Sequence, residues 1–124
     1  MLSVVATINL SNINNDFLIE CDVLKDGSIK ASFKLIEERW GTIDFILHSI
    51  GMSVNVRKGR NYTDLNYDWM TKGWDVSSVS FHKLLQALYQ KDAMNPWGSI
   101  LALSYIAAQR TFPNYNDMAD NKAY

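Results

Sequence analysis

The sequence predicts an α/β protein in which helices cover the faces of a parallel sheet. Three observations indicate this fold class: short apolar runs alternate with segments of helical periodicity, each helical segment is long enough to connect parallel strands, and turn-forming residues separate the segments. The 124 residues suffice for one domain core and are too few for two.

The first predicted strand is Phe17–Cys21, an apolar run that follows a turn-rich segment. A helix of about three turns is expected next, with Asp26 or Ser28 as its cap and Gly41 at its end. The run Ile43–Ser49 predicts a second strand, which completes a βαβ unit. The apolar positions of the helix recur at helical spacing and are Ile29, Phe33, Ile36 and Trp40.

Beyond the second strand, Met52–Leu65 is polar and is interpreted as an exposed loop. A long helix follows, capped by Thr63 or Asn66, and it is more apolar than a surface helix needs to be. Gly73 within it lowers helix stability by about 1 kcal/mol relative to Ala. Its apolar residues are Trp69, Met70, Trp74, Phe81, Leu84, Leu85 and Leu88.

The turn residues Asn95–Gly98 are expected to end this helix and to lead into a third strand, Ser99–Ser104. After Phe112–Asn114, the chain enters the first turns of another helix at Tyr115. Strands and helices thus alternate along the chain, which indicates parallel rather than antiparallel pairing.

Composition argues against several function classes. The net charge is −1 and the densest basic cluster is Arg57–Arg60, so we expect no nucleic-acid binding. Apolar stretches reach about eight residues, whereas a membrane-spanning helix needs roughly 20. Cys21 is the single cysteine, and we expect a reducing, cytoplasmic setting. His48 and His82 have no Cys or carboxylate at ligand spacing, so no metal site is expected.

Ligands of open parallel sheets bind beyond the carboxyl ends of the strands. Asp22 could accept hydrogen bonds from an adenine or a ribose, or it could only start a turn. Gly51 could admit a cofactor close to the backbone, or it could likewise serve only a turn. The candidates that follow the three predicted strands are Asp22 and Val23, then Ser49, Ile50 and Gly51, then Ser104 and Tyr105.

Tyr115 and Lys122 form the most informative pair. Seven residues apart on a helix, they share one face at an axial separation of roughly 10.5 Å, so both could border one cleft. An ammonium near the phenol would lower the phenol pKa and ready it to stabilise a developing oxyanion. The alternative places the tyrosine in the core and the lysine in solvent, and spacing alone does not decide between them.

Three segments resemble the NADH-dependent enoyl-[acyl-carrier-protein] reductases, a divergent branch of the short-chain dehydrogenase/reductase superfamily. They are Ile43–Gly51, Trp74–Phe81 and Leu103–Ala123. The most specific feature is the pair Tyr105 and Tyr115, ten residues apart, with Lys122 seven residues further on. Ordinary members of the superfamily keep the tyrosine and the lysine four residues apart. The resemblance extends from Phe17 to Tyr124.

The resemblance implies reduction of trans-2-enoyl thioesters by NADH during fatty-acid elongation. It makes Tyr115 the catalytic tyrosine that hydrogen-bonds the thioester carbonyl, Lys122 the lysine that holds the nicotinamide ribose, and Tyr105 a tyrosine that lines the acyl pocket. The implied partners are an acyl carrier protein bearing the thioester and further copies of the chain, since the family forms tetramers. The implied cofactor-binding positions are Asp22, Val23, Ser49, Ile50, Gly51 and Lys122.

The resemblance also implies a partial Rossmann-like, doubly wound parallel sheet of about three strands. We expect residues 1–124 to form an incomplete domain that lacks the C-terminal half and, since residues 1–16 contain no glycine, the Gly-rich first βα unit. NADH affinity and activity of this chain alone are therefore expected to be low. Residues 1–10 would be the end of a preceding helix and turn, or unrelated sequence. Two alternatives stay open: a noncatalytic folding or assembly module, and another short-chain reductase that acts on a carbonyl.

Overall fold

The computed structural model describes residues 17–124. The turn-rich segment 11–16 and the interpretation of residues 1–10 lie outside the described residues. Helices and strands follow one another as α1 (Asp26–Trp40), β1 (Ile43–His48), α2 (Val54–Arg57), α3 (Tyr67–Trp74), a π-helical turn (Asp75–Val79), α4 (Ser80–Lys91), β2 (Met94–Ala102) and α5 (Asn116–Ala123). Short 3₁₀ turns occupy Tyr62–Asp64 and Ile106–Ala108.

The first predicted helix is confirmed as α1, which has 15 residues and is therefore longer than the three turns expected. It ends at Gly41, whose φ of 75° suits glycine and whose N–H donates to the Glu37 carbonyl. Its start differs from the prediction, because Lys25 occupies the cap position without a side-chain bond. Ser28 Oγ instead accepts the N–H of Asp22, and thereby holds the turn that precedes the helix.

The strands β1 and β2 pair in parallel, as the alternation of elements predicts. The register joins Ile43 to Met94 and then Phe45 to Ser99, so β2 carries extra residues opposite Asp44. The segment Asn95–Gly98, expected as a turn before the strand, is therefore a bulge inside it. Pro96 offers no N–H to a ladder and Trp97 has a positive φ of 66°, which explains the irregularity.

The predicted strand Phe17–Cys21 is not formed, so the described part of the chain holds a two-stranded sheet rather than about three strands. Neither β1 nor β2 offers this segment a ladder, and a strand without a partner leaves its backbone groups unpaired. Its side chains still pack as an apolar run does: the Phe17 ring lies 4.8 Å from the Trp40 ring, and Cys21 packs against the core.

The long helix is present but is built in three parts, with the π turn between α3 and α4. Asn66 is its cap, as predicted, because its side-chain oxygen accepts the N–H of Trp69 at 3.0 Å. Gly73, interpreted from the sequence only as a weak point, is buried. A Cβ there would lie 2.9 Å from the Met52 carbonyl oxygen and 3.4 Å from Asn121 Nδ2, so glycine permits three segments to meet closely.

Two apolar clusters join these elements into one body. The first packs α1 against α4 and the start of β2, with buried Ile29, Phe33, Ala87, Leu88 and Ala93. The second lies under the carboxyl end of β1 and consists of buried Val23, Met52 and Val76. The second cluster supports the loops that follow the strands, where the sequence places its candidate site.

Candidate active site at the carboxyl end of the sheet

The loops after β1 and β2 lie side by side, as expected for parallel strands. Beyond the end of the ladder, the N–H of Leu103 donates to the His48 carbonyl at 3.0 Å. Ser49, Ile50 and Gly51 leave from β1, and Ser104 and Tyr105 leave from β2. The structure thus brings two of the three predicted strand-end groups to one edge.

Lys122 of α5 reaches this edge. Its Nζ donates to the Leu103 carbonyl at 2.7 Å, and its own carbonyl accepts the Ser104 hydroxyl at 2.8 Å. A Cβ at Gly51 would lie 3.9 Å from Nζ and 2.7 Å from Cε of Met118. An ammonium has three N–H donors, and the bond to Leu103 uses one, so others can face a ligand that passes over Gly51.

Tyr105 and Tyr115 lie against each other, with ring centroids 5.2 Å apart and planes at 59°. Tyr115 occupies the cap position of α5 rather than its first turn, and Asn116 after it has a positive φ of 41°. The Phe112 ring flanks Tyr105 from another side at 5.4 Å. Aromatic contacts of this kind fix the direction in which each phenol points.

The pKa of Tyr115 is raised above its ordinary value, chiefly by burial and secondarily by the neighbouring Tyr105. The sequence-based expectation of a lowered phenol pKa is therefore wrong. Lys122, which was to lower it, directs its Nζ to the Leu103 carbonyl. A raised pKa keeps the phenol protonated at neutral pH, which makes Tyr115 a hydrogen-bond donor rather than an anion.

Asp22 makes local contacts, whereas Val23 packs against residues distant in sequence. The Asp22 carboxylate accepts the N–H of Leu24 at 3.1 Å and forms an ion pair with Lys25 at 3.5 Å. This geometry is that of a turn and leaves the Asp22 side chain partly exposed, so a contact with an adenine or a ribose stays a prediction. Val23 is buried in the second apolar cluster, against which Ile50 packs.

An apolar cavity of about 420 Å³ lies between α1 and β1. Val23 and Ile50 line it, whereas Tyr105, Tyr115 and Lys122 do not. Val23 and Ile50 thus border this cavity, Lys122 lies by Gly51 and Leu103, and Tyr105 lies against Tyr115.

The sequence reasoning missed a buried polar network behind the site. Asp117 is fully buried and accepts hydrogen bonds from Ser53 Oγ at 2.8 Å and from Asn55 Nδ2 at 3.1 Å. Asn55 exchanges two further hydrogen bonds with the backbone of Asn66, the cap of α3. Residues 52–65 are thus not simply an exposed loop, because α2 within them fixes α3 and α5 through buried polar groups. The only signal in the sequence was the clustering of Ser and Asn there, which equally suits a surface loop.

His48 is a second group whose role the sequence left undefined. It is buried at the end of β1, and its Nε2 lies 2.8 Å from Ser80 Oγ. The Ser80 hydroxyl donates to the Val76 carbonyl at 2.6 Å, which leaves its oxygen free to accept from Nε2 of His48. Its pKa is lowered, first by burial and then by the nearby positive charge of Lys122.

The described residues contain no group of three or more His, Cys, Asp or Glu side chains placed to hold a metal ion. Among residues 17–124, no helix is both long and apolar enough to cross a membrane.

Comparison with known proteins gives a consistent result. The sequence profile described as enoyl-(acyl carrier protein) reductase matches residues 4–124. The enoyl-[acyl-carrier-protein] reductase [NADH] FabI of Enterococcus faecalis is 38% identical over 109 residues, which cover 88% of this chain and 43% of that protein. The crystal structure of FabI from Alistipes finegoldii is 54% identical with a TM-score of 0.82, covering 85% of this chain and 41% of that one. The FabI–NADH complex of the same organism matches with the same identity and TM-score and is covered to 38%.

The matches confirm the α/β fold class and extend over nearly the whole chain. They include only part of each relative, however. The chain spans about two fifths of the length of the curated relatives it matches.

Proposed function

This chain belongs to the enoyl-(acyl carrier protein) reductase family, and we propose that it carries the tyrosine and lysine of an NADH-dependent reductase of enoyl thioesters. The observation that supports the proposal is the position of the Lys122 ammonium, at the carboxyl edge of the sheet and beside Gly51, with the paired phenols on the same helix and loop. Residues 1–124 are, on this proposal, part of one Rossmann-like domain.

The residues present fit the ribose side of a nicotinamide cofactor. Gly51 presents no side chain toward Lys122, and a Cβ there would occupy space 3.9 Å from Nζ. Lys122 would donate to the ribose hydroxyls with the N–H groups that Leu103 does not use. Ser49, Ile50 and Gly51 would border the cofactor along the strand end. When bound, NADH supplies a hydride to C3 of the trans-2-enoyl thioester.

Tyr115 would act on the other end of the conjugated system. As hydride adds at C3, negative charge develops on the thioester oxygen, and a protonated phenol stabilises it by donating a hydrogen bond before C2 is protonated. The raised pKa of Tyr115 extends upward the pH range in which the phenol is a donor. Loss of one such donor costs roughly 3 to 4 kcal/mol of transition-state stabilisation. Tyr105, in ring contact with Tyr115, would line the acyl pocket.

We further propose that the substrate is a thioester carried by acyl carrier protein. The proposed setting is the cytoplasm, and the proposed oligomer is a homotetramer. Exposed aromatic side chains on the long helix support the oligomer: Tyr67 is 76% exposed, Tyr89 is 88% exposed and Trp74 is 41% exposed. Large apolar groups on a helix face commonly mark contacts with another chain.

Titration of the purified chain with NADH, followed by cofactor fluorescence, tests the cofactor half of the proposal. We expect weak binding that Lys122→Ala removes and that Lys58→Ala, a change of an exposed lysine, leaves unchanged. Reduction of crotonyl thioester tests the other half, with loss expected in Tyr115→Phe and not in Tyr62→Phe. Binding that is absent, or equally strong without Lys122, would contradict the proposal.

A further inference from the structure

The π-helical turn Asp75–Val79 faces the candidate site rather than solvent. Turns of this kind are rare, and they occur frequently at functional sites. Val76 and Ser78 within the turn are buried, and the preceding Gly73 brings the same helix close to Met52. The turn therefore lies against both the loop that follows β1 and the helix α5.

Ser77 holds the loop after β1 by its backbone. The N–H of Met52 donates to Ser77 Oγ at 2.9 Å, and Ser77 Oγ lies 3.2 Å from the Met52 carbonyl oxygen. The Ser77 hydroxyl thereby pairs with both the N–H and the carbonyl group of Met52. Met52 directly follows Gly51, so this pair of bonds fixes the backbone at the place where a cofactor would pass.

Ser78 holds the helix α5 in the same way. Its hydroxyl donates to the Asn121 carbonyl at 2.8 Å, and both residues are buried. Asn121 directly precedes Lys122, whose ammonium reaches the strand end. The two serines are consecutive, so the loop at Gly51 and the helix at Lys122 are attached to one short piece of backbone.

We propose that Ser77 and Ser78 are positioning residues of the reductase site, which set the distance between the backbone at Gly51 and the ammonium of Lys122. The inference rests on the proposed function, because that distance matters only if a cofactor lies between the two groups. A purely structural role would lower the free energy of unfolding without a separate effect on cofactor binding. The two roles therefore differ in a measurable way.

The experiment compares Ser77→Ala and Ser78→Ala with Ser32→Ala in the full chain. Ser32 is buried in α1 and its hydroxyl donates to the Ser28 carbonyl at 2.9 Å, so Ser32→Ala removes a similar bond within another helix. For the site variants we expect the NADH Kd to rise about tenfold, with a fall in Tm no larger than that of Ser32→Ala. Ser77→Thr keeps a hydroxyl and is expected to restore the affinity.

Amide hydrogen exchange supplies a readout that does not depend on NADH. Faster exchange of residues 51–53 in Ser77→Ala, and of residues 118–122 in Ser78→Ala, is expected, with no such change in Ser32→Ala. If the unaltered chain binds no NADH, the proposed function fails while the exchange pattern still tests the positioning. Unchanged exchange, or an NADH Kd that follows Tm equally in all three alanine variants, would overturn the inference.

Discussion

The side-chain nitrogen of Lys122 lies 2.7 Å from the carbonyl oxygen of Leu103, so the helix α5 is joined to the end of β2 by a charge-assisted hydrogen bond. A second hydrogen bond joins the same two segments, because the Ser104 hydroxyl donates to the Lys122 carbonyl. The ammonium that is proposed to hold the cofactor is thereby fixed by the sheet edge itself.

Gly73→Ala should destabilise the chain although alanine is the better helix former. A Cβ at this position would lie 2.9 Å from the Met52 carbonyl oxygen, which belongs to backbone and cannot simply rotate away. We expect a loss of about 1 to 3 kcal/mol in the free energy of unfolding, measured by urea denaturation. Gly27→Ala is the matched control, because it adds a methyl in α1 with nothing within 4 Å and should be neutral or slightly stabilising.

Asp117→Asn should weaken the attachment of α5 to α2. Asp117 is fully buried and its two carboxylate oxygens accept from Ser53 and Asn55, whereas an amide retains only one acceptor oxygen. A donor left unsatisfied there costs about 1 to 3 kcal/mol, and chemical denaturation measures the loss. Asp120→Asn changes an exposed residue of the same helix and should leave the free energy of unfolding nearly unchanged. An equal loss in the two variants would contradict the role of the buried network.

His48 should make stability fall as the medium becomes acidic. Its pKa in the folded chain is lowered from 6.5 by burial and by Lys122. Just below pH 6.5 the unfolded chain therefore binds a proton at this histidine more readily than the folded chain does. The stabilisation is present above about pH 6.5 and declines as pH falls below that value. Urea midpoints measured from pH 7.5 to pH 5 should show this slope, and His48→Gln should reduce it. A slope that His82→Gln removes instead would assign it to the exposed histidine.

Tyr115 should ionise at higher pH than an ordinary tyrosine. Burial and the neighbouring Tyr105 both disfavour its phenolate, so its pKa lies above 10.0. Ultraviolet difference spectra of the chain and of Tyr115→Phe isolate this titration. Tyr62→Phe, which removes a phenol that is 68% exposed, supplies the comparison. A Tyr115 transition below pH 10 would show that a positive charge, rather than burial, controls the pKa of the phenol.

Much of the architecture follows from local pattern. Periodicity identified α1 and the long helix, Gly41 marked the end of α1, and Asn66 marked the start of α3. The alternation of elements identified the parallel pairing of β1 and β2. Each of these features depends on residues that are near one another in sequence, which is why the sequence alone contains them.

The sequence by itself therefore determined the fold class, the family and the candidate residues Tyr105, Tyr115 and Lys122. Only the tertiary structure decided that Phe17–Cys21 pairs with neither strand, that Lys122 bonds to Leu103, and that the pKa of Tyr115 is raised. It also revealed Asp117 among Ser53 and Asn55, which are more than 60 positions away in the chain. The physical reason is common to all of these: ladder partners, burial and charge at a site are set by groups distant in sequence, and they exist only once the chain has packed.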